Sequence, residues 1–243
     1  MGTFTLPRFE TYQSRIKRLP RSIVKHHILN NRFCLESEGQ KAVYYAPFEG
    51  PVNGAARILI VGLTPGWTQT KIAYEQCSAV LHDGGTKREA LSAVRTHAPF
   101  AGLRCRLCRW LDELRVPERL GIDSTETLFC HDRSLLQTTS LIRYPVFVGK
   151  AGANYPGGGS HPIESDLLWS IIEAAFVPRL HKLPDALVVP LGVAVATALR
   201  ELGVPAYRCL YGFPHPARSY PYGDRDFLAK LPAMRRAVSR FPW

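Results

Sequence analysis

The chain has 243 residues, 46% of them hydrophobic and 21% charged, a balance typical of a soluble globular protein. Its 31 Lys and Arg residues exceed its 20 Asp and Glu residues by 11, which favours a polyanionic partner such as nucleic acid. No apolar run reaches the ~20 residues of a membrane span, and the first residues lack the pattern of a secretory signal. Six cysteines without a regular framework predict reduced thiols and a cytoplasmic protein.

The first 50 residues are rich in Lys and Arg, and we interpret them as a basic extension packed on the rest of the chain. Apolar positions between residues 8 and 35 recur at helical spacing with a break at Pro20. They predict one or two short helices with a solvated basic face, with phosphate contact as the alternative role of that face. Residues 41–47 predict an edge strand or an extended arm.

Residues 58–61, Ile-Leu-Ile-Val, predict a short strand buried on both faces. Such strands belong to parallel sheets covered by helices, and open α/β sheets bind ligands where these strands end. The run stops at the turn Gly62-Leu63-Thr64-Pro65-Gly66. Its glycines let a ligand approach the backbone closely, and its proline fixes the bend. We therefore expect the functional site at this turn.

Strands and helices are predicted to alternate through the rest of the chain. Residues 67–80 predict a loop that turns into a helix, and residues 87–115 two helices separated at residues 99–102. Residues 134–142, 186–191 and 207–211 predict strands, residues 149–160 a Gly-rich loop, and residues 192–202 a crossover helix; another helix starts at Pro162. The pattern predicts one domain over residues 1–243, α/β in class, with three layers, α/β/α, and a central four-stranded, mostly parallel sheet.

A second turn, Phe-Pro-His-Pro-Ala at residues 213–217, also follows a predicted strand and contains the rigid pair His215-Pro216. The order, spacing and strand context of the two turns resemble those of the uracil-DNA glycosylase superfamily. There the first motif is a Gly-x-Asn/Asp/Ala-Pro turn and the second a His-Pro-Ser or Asn-Pro-Ser loop. The resemblance spans residues 55–230 and implies that superfamily's fold, DNA as the partner and no cofactor. It implies a monofunctional DNA glycosylase, which flips a base out of DNA and hydrolyses its N-glycosidic bond to leave an abasic site.

The resemblance assigns the two candidate catalytic residues. His215 matches the donor that hydrogen-bonds the departing base and stabilises its negative charge. Thr64 stands where the superfamily carries Asp, Asn or Ala, and its hydroxyl cannot act as a base at neutral pH. The Thr64 hydroxyl can instead position a water molecule or donate a hydrogen bond to the base. Asp132, before the second predicted parallel strand, is the alternative carboxylate.

The base pocket also departs from the superfamily pattern. Gln137, Thr138 and Thr139 fall where the superfamily places a strand-end Asn that reads the pyrimidine edge; solvent-side decoration of the strand is the alternative. Tyr74 or Phe100 is predicted either to stack on the flipped base or to lie in the core. The remaining predicted pocket residues are Gly62, Leu63, Pro65 and Gly66.

These departures favour a modified base, such as a hypermodified phage pyrimidine, over plain uracil, in repair or in anti-phage defence. Repair of uracil or deaminated bases is one alternative, and a catalytically inactive protein that binds modified bases in DNA is another. A phosphate-binding enzyme unrelated to DNA is a third, although the sequence lacks a Gly-Lys-Ser/Thr motif after the turn.

Residues 216–222 match the superfamily loop that penetrates the duplex. Tyr220 is the predicted wedge and Arg218 the predicted contact to a phosphate or to the orphan base, with a packed surface loop as the alternative. No protein partner is evident, so we expect a monomer. The residues predicted to contact DNA are Pro216, Ala217, Arg218, Ser219, Tyr220 and Lys150.

Cys105 and Cys108 form a Cys-x-x-Cys pair, and some branches of the superfamily hold an iron–sulfur cluster. A cluster usually needs four thiolates, and the other four cysteines are scattered singly. The pair lies within a helical apolar pattern, so we interpret it as two packed thiols. His131 and His161 lack partners at metal-ligand spacing, and we assign no metal.

Overall fold

Two sheets and the surrounding helices form the part of the chain that this computed structural model describes, residues 4–130, 132–157 and 165–243. The strands are β1 (Cys34–Glu38), β2 (Lys41–Tyr44), β3 (Ile58–Gly62), β4 (Leu136–Ser140), β5 (Val146–Val148), β6 (Ala153–Asn154) and β7 (Leu187–Pro190). The helices are α1 (Phe9–Lys17), α2 (Lys25–Ile28), α3 (Trp67–His82), α4 (Lys87–His97), α5 (Arg104–Glu113), α6 (Val116–Leu120), α7 (Thr127–Cys130), α8 (Asp166–Ile171), α9 (Val177–His181), α10 (Val193–Glu201) and α11 (Tyr222–Arg240).

β3 is the centre of the first sheet and pairs in parallel with β4 on one side and β7 on the other. All five of its residues are buried. Because successive side chains of a strand point to opposite faces, Leu59 and Val61 pack into one core, and Ile58 and Ile60 pack into another. The predicted α/β class is therefore confirmed, with a parallel sheet that is buried on both faces.

The predicted four-stranded sheet is not confirmed, because residues 207–211 contribute a single bridge, between Val188 and Cys209. The N–H of Leu210 donates to the carbonyl of Val188 at 2.9 Å, but the neighbouring N–H groups bond locally: that of Arg208 donates to the carbonyl of Pro205 at 3.1 Å, and that of Tyr211 donates to Cys209 at 2.8 Å. Backbone groups that are satisfied within their own turns cannot extend a ladder of bonds to β7.

The second sheet is antiparallel, in the order β1-β2-β5-β6. Residues 41–47 do contain a strand, β2, but it lies between β1 and β5 rather than at an edge. The sequence does not predict β1, β5 or β6. β1 reads Cys-Leu-Glu-Ser-Glu, without alternating apolar residues, and β6 is two residues long within the Gly-rich loop.

The N-terminal residues pack on the rest of the chain through aromatic side chains. α1 places Phe9, Tyr12 and Ile16 in the same core as Leu59. The Tyr12 ring stacks on the Tyr45 ring with centroids 3.7 Å apart. α1 and α2 confirm the prediction of two short helices between residues 8 and 35.

Most predicted helices are confirmed, with changes at their ends. α4 and α5 occupy residues 87–115 with the expected break, and α3 begins at Trp67 without the expected loop. α11 is not predicted; its apolar side packs on Trp110, whose ring lies 5.0 Å from that of Phe227. The start predicted at Pro162 and residues 158–160 of the Gly-rich loop lie outside the described residues. Within the described ranges, no helix is long and apolar enough to cross a membrane.

Candidate functional site

Four residues of the turn after β3 line a cavity of about 500 Å³: Gly62, Leu63, Thr64 and Gly66. The other walls come from the start of α3, the connection between α4 and α5, residues 154–156, the start of α10, and the turn that carries His215. β3 and β7 end at this edge of the parallel sheet, which is where α/β sheets bind ligands. The sheet topology therefore brings the two sequence motifs together.

The Thr64 hydroxyl connects the two sheets. Its Oγ1 donates to the carbonyl oxygen of Tyr144 at 2.9 Å and accepts the N–H of Val146 at 3.1 Å. A hydroxyl has one proton and two lone pairs, so these bonds use the proton and one lone pair. The remaining lone pair is able to orient a water molecule, but Thr64 has no proton left to donate to a base.

His215 lines the same cavity as an uncharged donor. Its Nδ1 accepts the N–H of Ala217 at 3.1 Å, so the proton of the neutral ring lies on Nε2. The side chain is accessible to water at the mouth of the cavity, yet the surrounding protein displaces enough water to lower the pKa of His215 below its usual 6.5. The ring is therefore neutral at pH 7.

The loop between β7 and α10 lies directly against the His215 side chain. Gly192 has a φ of 93°, and a Cβ at this position would lie 3.1 Å from the Cβ of His215. Gly192 is also the N-cap of α10, and Val193 and Ala194 line the cavity. The first N–H groups of a helix lack intrahelical acceptors and carry partial positive charge. His215 and the start of α10 thus favour negative charge in the cavity.

Phe100 lines both this cavity and a second one, as does Gln69. It has a φ of 54°, uncommon for a residue other than glycine, and its N–H donates to Oε1 of Gln69 at 3.0 Å. A Cβ on Gly62 would lie 3.1 Å from Cε1 of Phe100. Gly62 therefore allows the Phe100 ring to lie against the end of β3.

Tyr74, the other aromatic residue predicted for the pocket, is not brought to this cavity. It is fully buried on α3, and its hydroxyl donates to the carbonyl oxygen of Tyr45 at 2.5 Å. Burial raises the pKa of Tyr74 well above its usual value. The structure places Tyr74 in the core, where its donor is already used.

The polar side chains of β4, Gln137, Thr138 and Thr139, line the second cavity and not the His215 cavity. The Oε1 atom of Gln137 accepts the N–H of Asn53, and its Nε2 donates to the carbonyl oxygen of Thr138, both at 2.9 Å. The side-chain amide is therefore not free to read a base. The last residue of β4 is Ser140, which lies opposite Gly62 in the parallel ladder. The sequence did not single out Ser140, because the register between β3 and β4 cannot be read from local patterns.

None of the Asp and Glu side chains in the described ranges lines the His215 cavity. The alternative carboxylate, Asp132, precedes the start of β4, whereas the cavity lies at the strand's end. The Oδ1 atom of Asp132 accepts the N–H of Ser134 at 2.8 Å, and this bond holds the pKa of the carboxyl below its usual range. Asp132 therefore lies at the opposite edge of the sheet, as an ionised turn residue.

The loop predicted to contact DNA begins at His215 and is anchored by α5. Arg106 donates from Nη1 to the carbonyl oxygens of Pro216 at 3.0 Å and Arg218 at 2.6 Å. Tyr220 projects from the loop with 78% of its surface exposed, and the half-exposed Arg218 side chain pairs with Asp226 of α11. Arg106 is a further residue that the sequence did not single out, since it lies 110 positions before the loop it holds.

The Gly-rich loop contributes Asn154 to the cavity. Its Oδ1 accepts the N–H of Trp67 at 2.8 Å and so caps the first turn of α3. Because the loop is rich in glycine, its composition does not indicate that Asn154 caps a helix. Lys150 is exposed at the tip of the β5–β6 hairpin and does not line the cavity. The remaining predicted residues of the two motifs that line it are Gly62, Leu63, Gly66 and Ala217, whereas Pro65 lines the second cavity.

The Cys105–Cys108 pair lies on a helix, α5, as predicted, but the prediction of two packed thiols is correct for the buried Cys108 and wrong for Cys105, which is exposed. Burial raises the pKa of the Cys108 thiol to about 12. Within the described ranges there is no group of three or more His, Cys, Asp or Glu side chains that could hold a metal ion. His131 and His161 lie outside those ranges.

Comparison with known proteins identifies a relative that is similar over most of the sequence. The chain is 32% identical over 236 residues to "Uncharacterized protein YoxB" of Bacillus subtilis (strain 168), which covers 95% of this chain and 91% of the relative. No family model matches the chain. No solved structure matches it either.

Proposed function

The chain belongs to the same family as YoxB of Bacillus subtilis, and we propose that it is a divergent uracil-DNA glycosylase-like enzyme. The proposed activity is the hydrolysis of an N-glycosidic bond in DNA, with a modified pyrimidine as the base. The observation that carries the proposal is the His215 ring, held neutral with its Nε2 proton available to a cavity at the end of β3. The single Val188–Cys209 bridge supports counting residues 207–211 as the fourth strand position of that superfamily's sheet.

The chemistry requires stabilisation of a departing base. When the bond between the sugar C1′ and the base nitrogen breaks, the electron pair leaves with the base, which becomes an anion delocalised onto its carbonyl oxygen. The Nε2–H of His215 donates to that oxygen, and the start of α10 adds a favourable potential. Preorganised donors of this kind need no carboxylate partner.

Water completes the hydrolysis. It adds to C1′ of the sugar cation and releases a proton to solvent, while the departed base takes up a proton. The free lone pair of Thr64 Oγ1 is available to orient this water molecule. The net charge of +11 and the exposed Tyr220 beside Arg218 support DNA as the substrate.

The test is excision from a panel of DNAs that contain uracil, hypoxanthine, hydroxymethylcytosine, glucosylated hydroxymethylcytosine or unmodified bases, with alkali used to reveal abasic sites as breaks. We expect breaks with a modified pyrimidine and few with uracil. His215→Ala should lower the excision rate about 10²–10³-fold, the effect of losing one preorganised donor. The control is His181→Ala, an exposed histidine at the end of α9. Equal rates for the two variants would refute the role of His215.

A second candidate function is recognition of a modified base in DNA without cleavage. It is favoured by the lack of a described carboxylate in the cavity and by the committed proton of Thr64. In the same panel it predicts tight, salt-sensitive binding to one modified DNA and no breaks with any. Breaks that depend on His215 would exclude it.

A further inference from the structure

The second cavity, with a volume of about 350 Å³, lies beyond Phe100. Its walls include residues 48–53, the end of α4, the polar side of β4 and the start of α9. Among the described residues that line it, Glu49 is the only one with an acidic side chain. Four arginines line the same cavity: Arg95, Arg133, Arg143 and Arg179.

None of these four guanidinium groups forms an ion pair within the described ranges. Arg143 and Arg179 donate to backbone carbonyl oxygens, at 3.1 Å and 2.7 Å. Arg133 donates from Nη2 to the Thr138 hydroxyl at 3.4 Å, and its buried Nη1 has no partner. All four side chains are partly exposed, but charged groups shielded from water are normally paired, and among the described residues this cluster has no ion-pair partner.

Glu49 does not supply that counter-charge fully. Its Oε2 accepts the hydroxyl of Tyr45 at 2.9 Å, and its buried Oε1 has no partner. Burial raises the pKa of Glu49 to about 7, so a large fraction of the carboxyl is uncharged near neutral pH. Burial and neighbouring arginines lower the pKa of Arg133 and Arg179 to about 10, still well above neutral pH. The cavity is therefore strongly positive.

We propose that this cavity binds an anionic group, a phosphate or a carboxylate. Guanidinium groups bind both through paired N–H donors, and the hydroxyls of Thr138, Thr139 and Ser140 line the same space. The volume lies within the range of small-molecule sites, about 300–1,000 Å³. Two sources could deliver the group. One is a substituent on a base that enters past Phe100, the wall shared with the His215 cavity; the other is a small anion in solution.

The first test measures binding of sulfate by calorimetry, with chloride at matched ionic strength as the reference. Because hydrogen bonds to a charged group contribute about 1.5–3 kcal/mol, Arg133→Met should bind sulfate at least about tenfold more weakly. The matched control, Arg88→Met, changes an exposed arginine of α4 and should bind like the wild type. Sulfate that binds no more tightly than chloride would overturn the proposal, and so would equal losses in the two variants.

The melting temperature provides a second measurement that separates this role from a structural one. Without sulfate, Arg133→Met should melt no lower than the wild type, because it removes a partly buried positive charge whose Nη1 has no partner. With sulfate, the wild type should gain melting temperature and the variant should gain little. A lower melting temperature of Arg133→Met without sulfate would identify Arg133 as a structural residue and overturn the proposal.

The pH dependence is a further test, because sulfate keeps its charge between pH 6 and 8. The charged and titratable groups around Glu49 are Tyr12, Tyr45, Tyr74, Cys77, Tyr144, Arg143, Arg179, Lys87 and Glu10. Protonation of Glu49 removes a negative charge from the cavity, so sulfate should bind more tightly at pH 6 than at pH 8. Glu49→Gln should bind at pH 8 as the wild type does at pH 6. Weaker wild-type binding at pH 6 would contradict the proposal.

Competition identifies the source of the group. If a base substituent enters the cavity, DNA that contains 5-carboxylcytosine should displace sulfate from His215→Ala, a variant chosen because it slows excision; DNA with 5-methylcytosine is the matched control. Tight sulfate binding without displacement by either DNA assigns the site to a free anion. These measurements do not depend on catalysis, so a failure of the proposed glycosylase activity leaves their outcome unaffected.

Discussion

Gly192→Ala should lower the stability of the fold and also displace His215, and the two effects can be measured separately. With φ 93° and ψ 173°, Gly192 occupies a backbone region that is essentially restricted to glycine and costs about 1–3 kcal/mol for other residues. At about 2–4 °C per kcal/mol for a chain of this size, the melting temperature should fall by roughly 2–12 °C. The added Cβ would lie 3.1 Å from the Cβ of His215, so the turn that carries His215 must also move by a few tenths of an ångström.

The matched control is Gly203→Ala. Gly203 also has positive φ, 73°, but a Cβ there would have no atom within 4 Å. This variant should lose stability through backbone strain alone and keep the environment of His215. The assay is NMR titration of the His215 ring together with the excision rate.

In Gly192→Ala, the pKa of His215 should rise towards 6.5, because the displaced ring regains water, and excision should fall. In Gly203→Ala, the pKa of His215 and the excision rate should both match those of the wild type. A wild-type His215 titration in Gly192→Ala would refute the inference that Gly192 positions the ring.

Three further predictions concern the Thr64 hydroxyl, the Glu49 carboxyl and the loop that carries Arg218. Thr64→Val should lower the unfolding free energy by about 2–5 kcal/mol, because it leaves the carbonyl of Tyr144 and the N–H of Val146 without partners, while Thr64→Ser should restore most of it in denaturant titrations. The raised pKa of Glu49 stabilises the fold at low pH, and this contribution is lost as pH rises through about 7. Wild type should therefore lose about 2–3 kcal/mol relative to Glu49→Gln between pH 5 and 8 in thermal melts, with the exposed Glu36→Gln as a control that behaves like wild type. Arg218→Gln should reduce the slope of log affinity for DNA against log salt by about 1, and an unchanged slope would exclude a phosphate contact.

Much of the parallel sheet could be predicted because its signals are local. An aliphatic run such as residues 58–61 is readable without knowledge of the rest of the chain, and a proline-fixed turn marks its end. The antiparallel sheet carries weaker signals, since β1 contains three polar residues and is held by its pairing with β2. The expected strand at residues 207–211 has strand-like composition, but only the N–H of Leu210 donates to β7, and the N–H groups of Arg208 and Tyr211 bond within their own turns, which composition does not indicate.

The candidate site also contains residues that local sequence signals identify and residues that they do not. His215 and Thr64 could be located because each lies on a short motif, whereas the helical phase that turns Tyr74 inward is decided by packing. Arg106 and the arginines of the second cavity come from segments far apart in sequence, so no spacing rule links them. Long-range convergence of charged residues is visible only once the fold is known.

Phe100 and Gln69 form the boundary between the two cavities, since both side chains line each of them. The backbone holds Phe100 in an uncommon conformation, and its N–H donates to the Gln69 side chain. In the proposed function, one cavity would take the base and the other an anionic group attached to it. A smaller residue at position 100 would widen the passage between the cavities, so the size of this side chain would decide which base substituents pass it.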